Sequence, residues 1–357
     1  MTHIMPGNIW PSEMVESCMK NVGFLSFGHY QAVPGSQTRT ASDVLLQSID
    51  LAVAAEEIGI DGAYFRVHHF ARQLASPWPL LAAVGARTSR IEIGTGVIDM
   101  RYENPLAMAE EAAAADLISG GRLELGISRG SPETALKGYE SFGHVPPEGM
   151  SDADMARAHA GLFRAAIAGA GVADSDPRMT GRSVRLPVMP QAPGLSDRIW
   201  WGAGTRATGE WAASEGMNLM SSTLLTEDTG VPFDELQLEQ IQRYRAAWEK
   251  AGWDREPRVS VSRSVIPLLD DQDRAYFGER SGDDQLGHLD GGIARFGKSY
   301  VGEPDVLAEE LAKDVAVREA DSLLLTVPNQ LGVAYNARLL QALADHVLPA
   351  IGWSPRT

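Results

Sequence analysis

Residues 91–131 read IEIGTGVIDMRYENPLAMAEEAAAADLISGGRLELGISRGS, and this stretch decides the fold. Ile91–Ile98 is short, β-branched and apolar, the pattern of a buried strand. A helix is predicted from Pro105, which suits a first helical turn, through EEAAAAD to Ile118. Gly120 and Gly121 end it, and Leu123–Ser128 is a second buried strand. Strand, helix and strand in this order form a βαβ unit, whose two strands lie parallel in one sheet. Asp116, Gly120, Gly121 and Arg122 fall at the amino end of the second strand and read as structural.

The same alternation extends in both directions. Upstream, strands are predicted at Val22–Phe27 and Gly62–Val67. Between them lies a helix over Ala41–Ile58, with apolar residues at spacings of three to five and Gly59 at its end. Another helix follows Pro77. Downstream, residues 130–150 are rich in Gly, Pro and charge. A helix is predicted at 152–168, and the surroundings of Ser183–Leu186 form an extra hairpin. Strands follow at Ile199–Gly202, Met217–Ser221, Val259–Leu268 and Ser322–Val327, with helices up to Glu215, at 234–251, after Pro304 and at 333–347. Residues 270–300, acidic and Gly-rich, show no period and read as a mobile loop able to serve as a lid. Eight strand–helix units predict a (β/α)8 TIM barrel with insertion loops at its carboxyl-end face. Residues 19–357 are expected to be a single barrel domain, and residues 1–18 a disordered tail or extended start.

The bulk numbers agree. A chain of 357 residues matches one barrel with insertions and buries a large core unaided. Its net charge of −16 repels nucleic acid and anionic membrane, so neither is an expected partner. The single cysteine, Cys18, allows no internal disulfide and no cysteine metal site, which fits a cytoplasmic location. No apolar run reaches membrane-spanning length.

In such a barrel the chemistry sits just beyond the carboxyl ends of the strands. Arg129 follows a buried strand between Gly126 and Gly130, where backbone N–H groups and a guanidinium can meet an anion. Gly202–Thr208 (GAGTRAT) joins a strand to a helix. Its N–H groups would face a phosphate at the helix N-terminus, with Thr205 and Thr208 adding hydroxyls. The plainer reading is that Gly204 and the threonines turn the chain and cap the helix. His68 and His69 close the second strand, one expected inside the barrel and one outside. A histidine there can be a general base or a wall residue. No third ligand accompanies the pair, so no metal site is expected. Without a Gly-x-Gly-x-x-Gly after the first strand, a dinucleotide fold has little support.

Three stretches are similar to the pattern of the bacterial luciferase-like flavin-dependent monooxygenase family: AVAAEEIGIDGAYFRVHHF (52–70), the opening segment (91–131) and IWWGAGTRATGEWAASEGMNLMSS (199–222). With the segments 300–312 and 320–332 the resemblance covers nearly all of 20–348. It implies reduced FMN at the barrel mouth, its phosphate on Arg129, Gly130, Ser131, Gly204, Thr205 and Thr208. Its ring would lie at a non-prolyl cis peptide falling on Gly96–Val97, and the active-site histidine falls on His68. The implied reaction uses dioxygen to form a flavin C4a-hydroperoxide that oxidises a small organic substrate. A separate NAD(P)H:flavin reductase would supply the reduced flavin, and the protein would be a homodimer. The sequence departs from the family at Val67, where a carboxylate is common, and at Ser128, where light-emitting members carry cysteine. Emission of light is therefore not implied. Alternatives are a coenzyme F420-dependent oxidoreductase of the same superfamily and a non-catalytic flavin-binding barrel. A hydrolase would need paired carboxylates or a metal cluster at the strand ends, and neither is evident.

Overall fold

The structure is a computed structural model that describes residues 20–130, 133–227, 230–279, 283–289 and 292–356. Eight parallel strands close into a barrel. In chain order they are β1 (Asn21–Ser26), β2 (Gly62–Phe65), β3 (Glu92–Asp99), β4 (Leu123–Ser128), β5 (Ile199–Ala203), β6 (Asn218–Ser221), β7 (Val259–Pro267) and β8 (Ser322–Val327). Each pairs with the next, and β1 pairs with β8 over its full length, Asn21 opposite Ser322. The β6–β7 join is short, with Leu219 opposite Val259 and Met220 opposite Ser260.

Eight main helices cover the outside: α1 (Ala41–Ile58), α2 (Pro77–Arg87), α3 (Pro105–Ser119), α4 (Asp152–Ile167), α5 (Arg206–Ser214), α6 (Phe233–Ala251), α7 (Pro304–Lys313) and α8 (Gly332–His346). Their ends follow local chemistry. Thr40 and Asp43 exchange hydrogen bonds in a capping box at the start of α1, and Gly59 closes it at φ 94°. Asn104 caps α3 ahead of Pro105. Arg122 binds the carbonyls of Gly85, Thr88, Ile91 and Ser119, tying α2 and α3 to the foot of β4. Asp116 takes both terminal nitrogens of Arg198. The structural reading of this turn therefore holds.

The main core lies between strands and helices. A second cluster (Leu25, Tyr64, Trp200, Met220 and Leu324, with Val97 against it) fills the barrel interior. The Tyr64 ring lies across Gly62 and Gly94, where any side chain would meet it at 2.5–2.6 Å. Beneath it, at the amino end, Glu124 accepts from Trp200 Nε1 at 2.5 Å and from Arg258 at 2.7 Å. Tyr64 donates to Glu92 at 3.3 Å.

Two expectations need correction. Residues 270–300 are not an aperiodic loop. They contain a helix (Asp271–Phe277), an antiparallel pair (Gln285–Leu289 with Gly292–Phe296) and a strand (Ser299–Gly302) that joins β7. The pair also takes Leu224–Leu225 as a third strand. The acidic residues that looked like solvated charge hold the helix. Asp270 caps it, and buried Asp273 accepts from Leu269 N–H, Tyr335 and Arg338. Secondly, β2 ends at Phe65, so His68 and His69 lie in the loop beyond it and the strand alternation does not govern them. Met100 and Tyr102, on the loop after β3, are buried wall residues. The hairpin expected near residue 185 is present, Ala173–Asp174 pairing with Arg185–Leu186. The expected tail, 1–18, lies outside the described residues. No described helix is long and apolar enough to cross a membrane.

Candidate active site at the carboxyl ends of the strands

The β2 loop carries His68, whose backbone N–H is held by the Leu74 carbonyl at 2.8 Å. Its Nδ1 stands 3.1 Å from Oε1 of Glu133. Both side chains are largely buried, 14% and 4% exposed, so the pair is weakly screened by water. Tyr102, on the loop after β3, donates its hydroxyl to the other Glu133 oxygen. The His69 N–H approaches Oε1 at 3.4 Å. The His69 ring stacks on Tyr102, centroids 4.2 Å apart. Burial lowers the His69 pKa, and its Nε2 is buried with no partner among the described residues. Burial pushes the Glu133 carboxyl up, but hydrogen bonds from His68 and Tyr102 outweigh it and hold the group below its ordinary value. Glu133 is therefore a carboxylate at neutral pH.

Glu133 was not legible in the sequence as a site residue. It lies on the loop after β4, far along the chain from His68, and no fixed spacing links the two. The available signal was modest: it is the only acidic residue between Arg129 and Tyr139, just past a strand end.

At the end of β3 the Gly96–Val97 peptide is cis, where the β3–β4 register shifts between Thr95 and Ile98. Val97 packs into the barrel interior with Leu25 and Met220. A Cβ on Gly126 would lie 2.9 Å from Val97 and 2.8 Å from the Met220 sulfur, and one on Gly202 would lie 3.2 Å from Val97. The top of the barrel interior is thus an apolar floor shared by β1, β3, β4, β5 and β6.

Arg129 is exposed at the end of β4. Gly130 beside it has φ 94°, and its N–H bonds to Ser128 Oγ at 2.8 Å. Its Cα faces the Asp99–Arg101 ion pair so closely that a Cβ would lie 1.9 Å from Asp99 Oδ2. Arg101 is held by Asp99 and by Asp152 at 2.9 Å. Ser131 lies outside the described residues.

Just past β5, Thr205 is the N-cap of α5. Its hydroxyl accepts the Thr208 N–H at 3.1 Å and bonds the Thr208 hydroxyl. The capping role weighed for these threonines is therefore real. The buried Gln240 of α6 fixes this end by donating to the Ala203 and Thr205 carbonyls. The space before Gly204 is open: a Cβ there would find its nearest neighbour, the Leu224 carbonyl oxygen, 4.0 Å away. The first N–H of α5, from Arg206, is taken by the Glu227 carboxylate at 3.0 Å. This helix end has drawn in a carboxylate, as its dipole favours. Among the described residues no group of three or more His, Cys, Asp or Glu is placed to hold a metal ion.

The structure thus combines, at one face of a closed parallel barrel, a buried histidine–carboxylate pair and a helix amino end that takes a carboxylate. The family model for luciferase-like monooxygenases matches residues 21–276, and the chain belongs to that family. The oxygenase component of a flavin-dependent trigonelline monooxygenase from Acinetobacter baylyi is 32% identical over 110 residues, 30% of this chain and 30% of that protein. An F420-dependent glucose-6-phosphate dehydrogenase from Amycolatopsis mediterranei is 35% identical over 100 residues, 26% of this chain and 30% of that protein. The chain thus spans about three-tenths of the length of these curated relatives. The oxygenating constituent of 3,6-diketocamphane monooxygenase from Pseudomonas putida, solved with FMN, superposes with a TM-score of 0.66 at 16% identity. That match covers 93% of this chain and 99% of the other, and it shows the shared fold.

Proposed function

We propose that this protein is the oxygenase of a two-component system, using reduced FMN and dioxygen to oxidise a small organic substrate. The observation that carries the reading is the α5 amino end. It holds the Glu227 carboxylate on the Arg206 N–H and leaves open space at Gly204, with exposed Arg129 on the adjacent strand end. A phosphate would be held there by the positive helix end in competition with Glu227, by the Arg129 guanidinium, and by the Thr205 and Thr208 hydroxyls in place of their bond to each other. The floor of Leu25, Val97 and Met220, beside the Gly96–Val97 peptide, suits the flat apolar face of a flavin ring. Arg129, Gly130, Ser131, Gly204, Thr205 and Thr208 are assigned to the phosphate, and Gly96 and Val97 to the ring. When bound, reduced FMN would supply the two electrons that reduce dioxygen, one oxygen atom going to the substrate and the other leaving as water. His68 serves as base or hydrogen-bonding group toward the reacting atoms, and the buried wall of Met100 and Tyr102 limits water there. A separate NAD(P)H:flavin reductase recharges the cofactor. The protein works as a cytoplasmic homodimer, with 19–357 as one barrel domain.

The test is stopped-flow mixing of the protein and reduced FMN with air. A transient flavin-hydroperoxide spectrum is expected, and oxidation kinetics identical to free reduced flavin would reject the proposal. The F420-dependent relative motivates one alternative, hydride transfer without oxygen. Thermal protection by reduced F420 in place of reduced FMN would favour it, since a ligand of the native state raises the melting temperature.

A further inference from the structure

We propose that Glu133 is the positioning residue of the active-site histidine, fixing His68 in the Nδ1–H tautomer so that Nε2 is the nitrogen left for chemistry. This rests on the assignment of His68 in the function proposed above.

The argument starts from protonation. Glu133 is ionised at neutral pH, since the groups that surround it donate to it, and an ionised carboxylate can only accept. At 3.1 Å from Oε1, His68 Nδ1 must therefore carry the proton it shares. A neutral imidazole has one N–H, so Nε2 keeps its lone pair. A free imidazole in water is under no such constraint.

The carboxylate is itself held in place. Tyr102 binds its second oxygen, so the group is gripped on both sides and cannot rotate away from His68. Tyr102 is 5% exposed, its ring is stacked on His69, and its N–H is bonded to the Asp99 carbonyl at 3.1 Å. Glu133 thereby joins the loops after β2, β3 and β4. It also supplies, from another loop, a carboxylate beside the histidine pair where the preceding residue, Val67, has none. A carboxylate behind a histidine both orients the ring and favours the cation formed when Nε2 takes a proton.

A purely structural role for Glu133, as a tie between loops, would lower stability without acting through His68. Two measurements separate the roles. The first is 15N NMR of histidine-labelled protein, with His68 assigned by its absence in His68→Ala. The wild type is expected to show Nδ1–H. Glu133→Ala is expected to move His68 toward the Nε2–H form or a mixture. An unchanged tautomer in that variant, or Nε2–H in the wild type, overturns the proposal. The second is a kinetic cycle with reduced FMN, air and a panel of small aldehydes, ketones and sulfides. Glu133→Gln, which keeps the volume and protects against a misfolded alanine variant, is expected to lower kcat roughly 10²-fold with KM little changed. In the His68→Ala background the same change is expected to cost nothing further. Equal losses in both backgrounds overturn the proposal. The NMR reading needs no turnover, so a failure of flavin oxygenation removes the proposed function and leaves the tautomer to decide this one.

Discussion

Oε2 of Glu227 accepts both the backbone N–H of Arg206, at 3.0 Å, and its Nε, at 3.1 Å. The chain's own carboxylate thus lies on the first turn of α5, where the phosphate of FMN is proposed to bind. The two anions compete for one positive helix end. Glu227→Gln removes the like charge and is expected to tighten FMN binding by about 0.3–1 kcal/mol, the worth of a charge at a helix terminus. Calorimetry should show this for FMN and not for riboflavin, which lacks the phosphate. Equal FMN affinities in both proteins would put the phosphate elsewhere.

Arg129 makes the complementary prediction. Arg129→Ala is expected to weaken FMN binding by about 1.5–3 kcal/mol, the range for a charged hydrogen bond. Riboflavin affinity should hold. Arg129 is exposed, so the melting temperature of the flavin-free protein is expected to change little. Unchanged FMN affinity removes Arg129 from the site.

Gly130 tests the backbone beneath that arginine. Its φ of 94° disfavours any side chain, and the Cβ of alanine would fall 1.9 Å from Asp99 Oδ2. Gly130→Ala is expected to destabilise the fold by about 1–3 kcal/mol in denaturant unfolding. A neutral substitution would mean that the Asp99–Arg101 pair yields freely.

The opposite end of the barrel carries a pH dependence. Burial, and Glu124 beside it, push the Glu92 carboxyl from 4.5 up to about 7. In the unfolded chain the group loses its proton near its ordinary value, whereas in the fold it keeps it. Its contribution to stability is therefore complete below about pH 4.5 and falls as pH rises toward 7. Above that it stays lost, because folding then holds a buried charge. Glu92→Gln cannot ionise and still accepts from Tyr64. Relative to wild type it is expected to gain up to about 3 kcal/mol at pH 8 and nothing near pH 4. Urea unfolding at the two pH values decides this, and a constant difference between the proteins would reject it.

The elements that were legible share one property: their signals are local. The helix of residues 41–58 is marked by its own apolar spacing and by Gly59, and the structure has the same bounds. Ser322–Val327 likewise needs only its own β-branched and apolar run. Residues 270–300 were misread because Asp270 and Asp273 look like solvated charge in sequence. Their partners, Tyr335 and Arg338, come from α8, some sixty residues on. The short strands there pair with Leu224–Leu225, equally remote. His68 and His69 were assigned to opposite faces of a strand that ends at Phe65, because a strand end depends on where its neighbours stop pairing.

By itself the sequence determined the barrel and its order of strands, since eight buried runs separated by helices close in few ways. It also pointed to the strand ends that carry His68, Arg129 and Thr205. Only the tertiary structure decided how those side chains are used. Thr205 and Thr208 bond each other at the helix cap, Glu227 occupies the Arg206 N–H, and Glu133 grips His68. Each of the last two contacts joins loops that follow different strands. Hydrophobic periodicity specifies a strand and its faces, but it is silent on which loops meet once the barrel closes. That meeting is set by ring closure, and it determines the surroundings and protonation of the site residues.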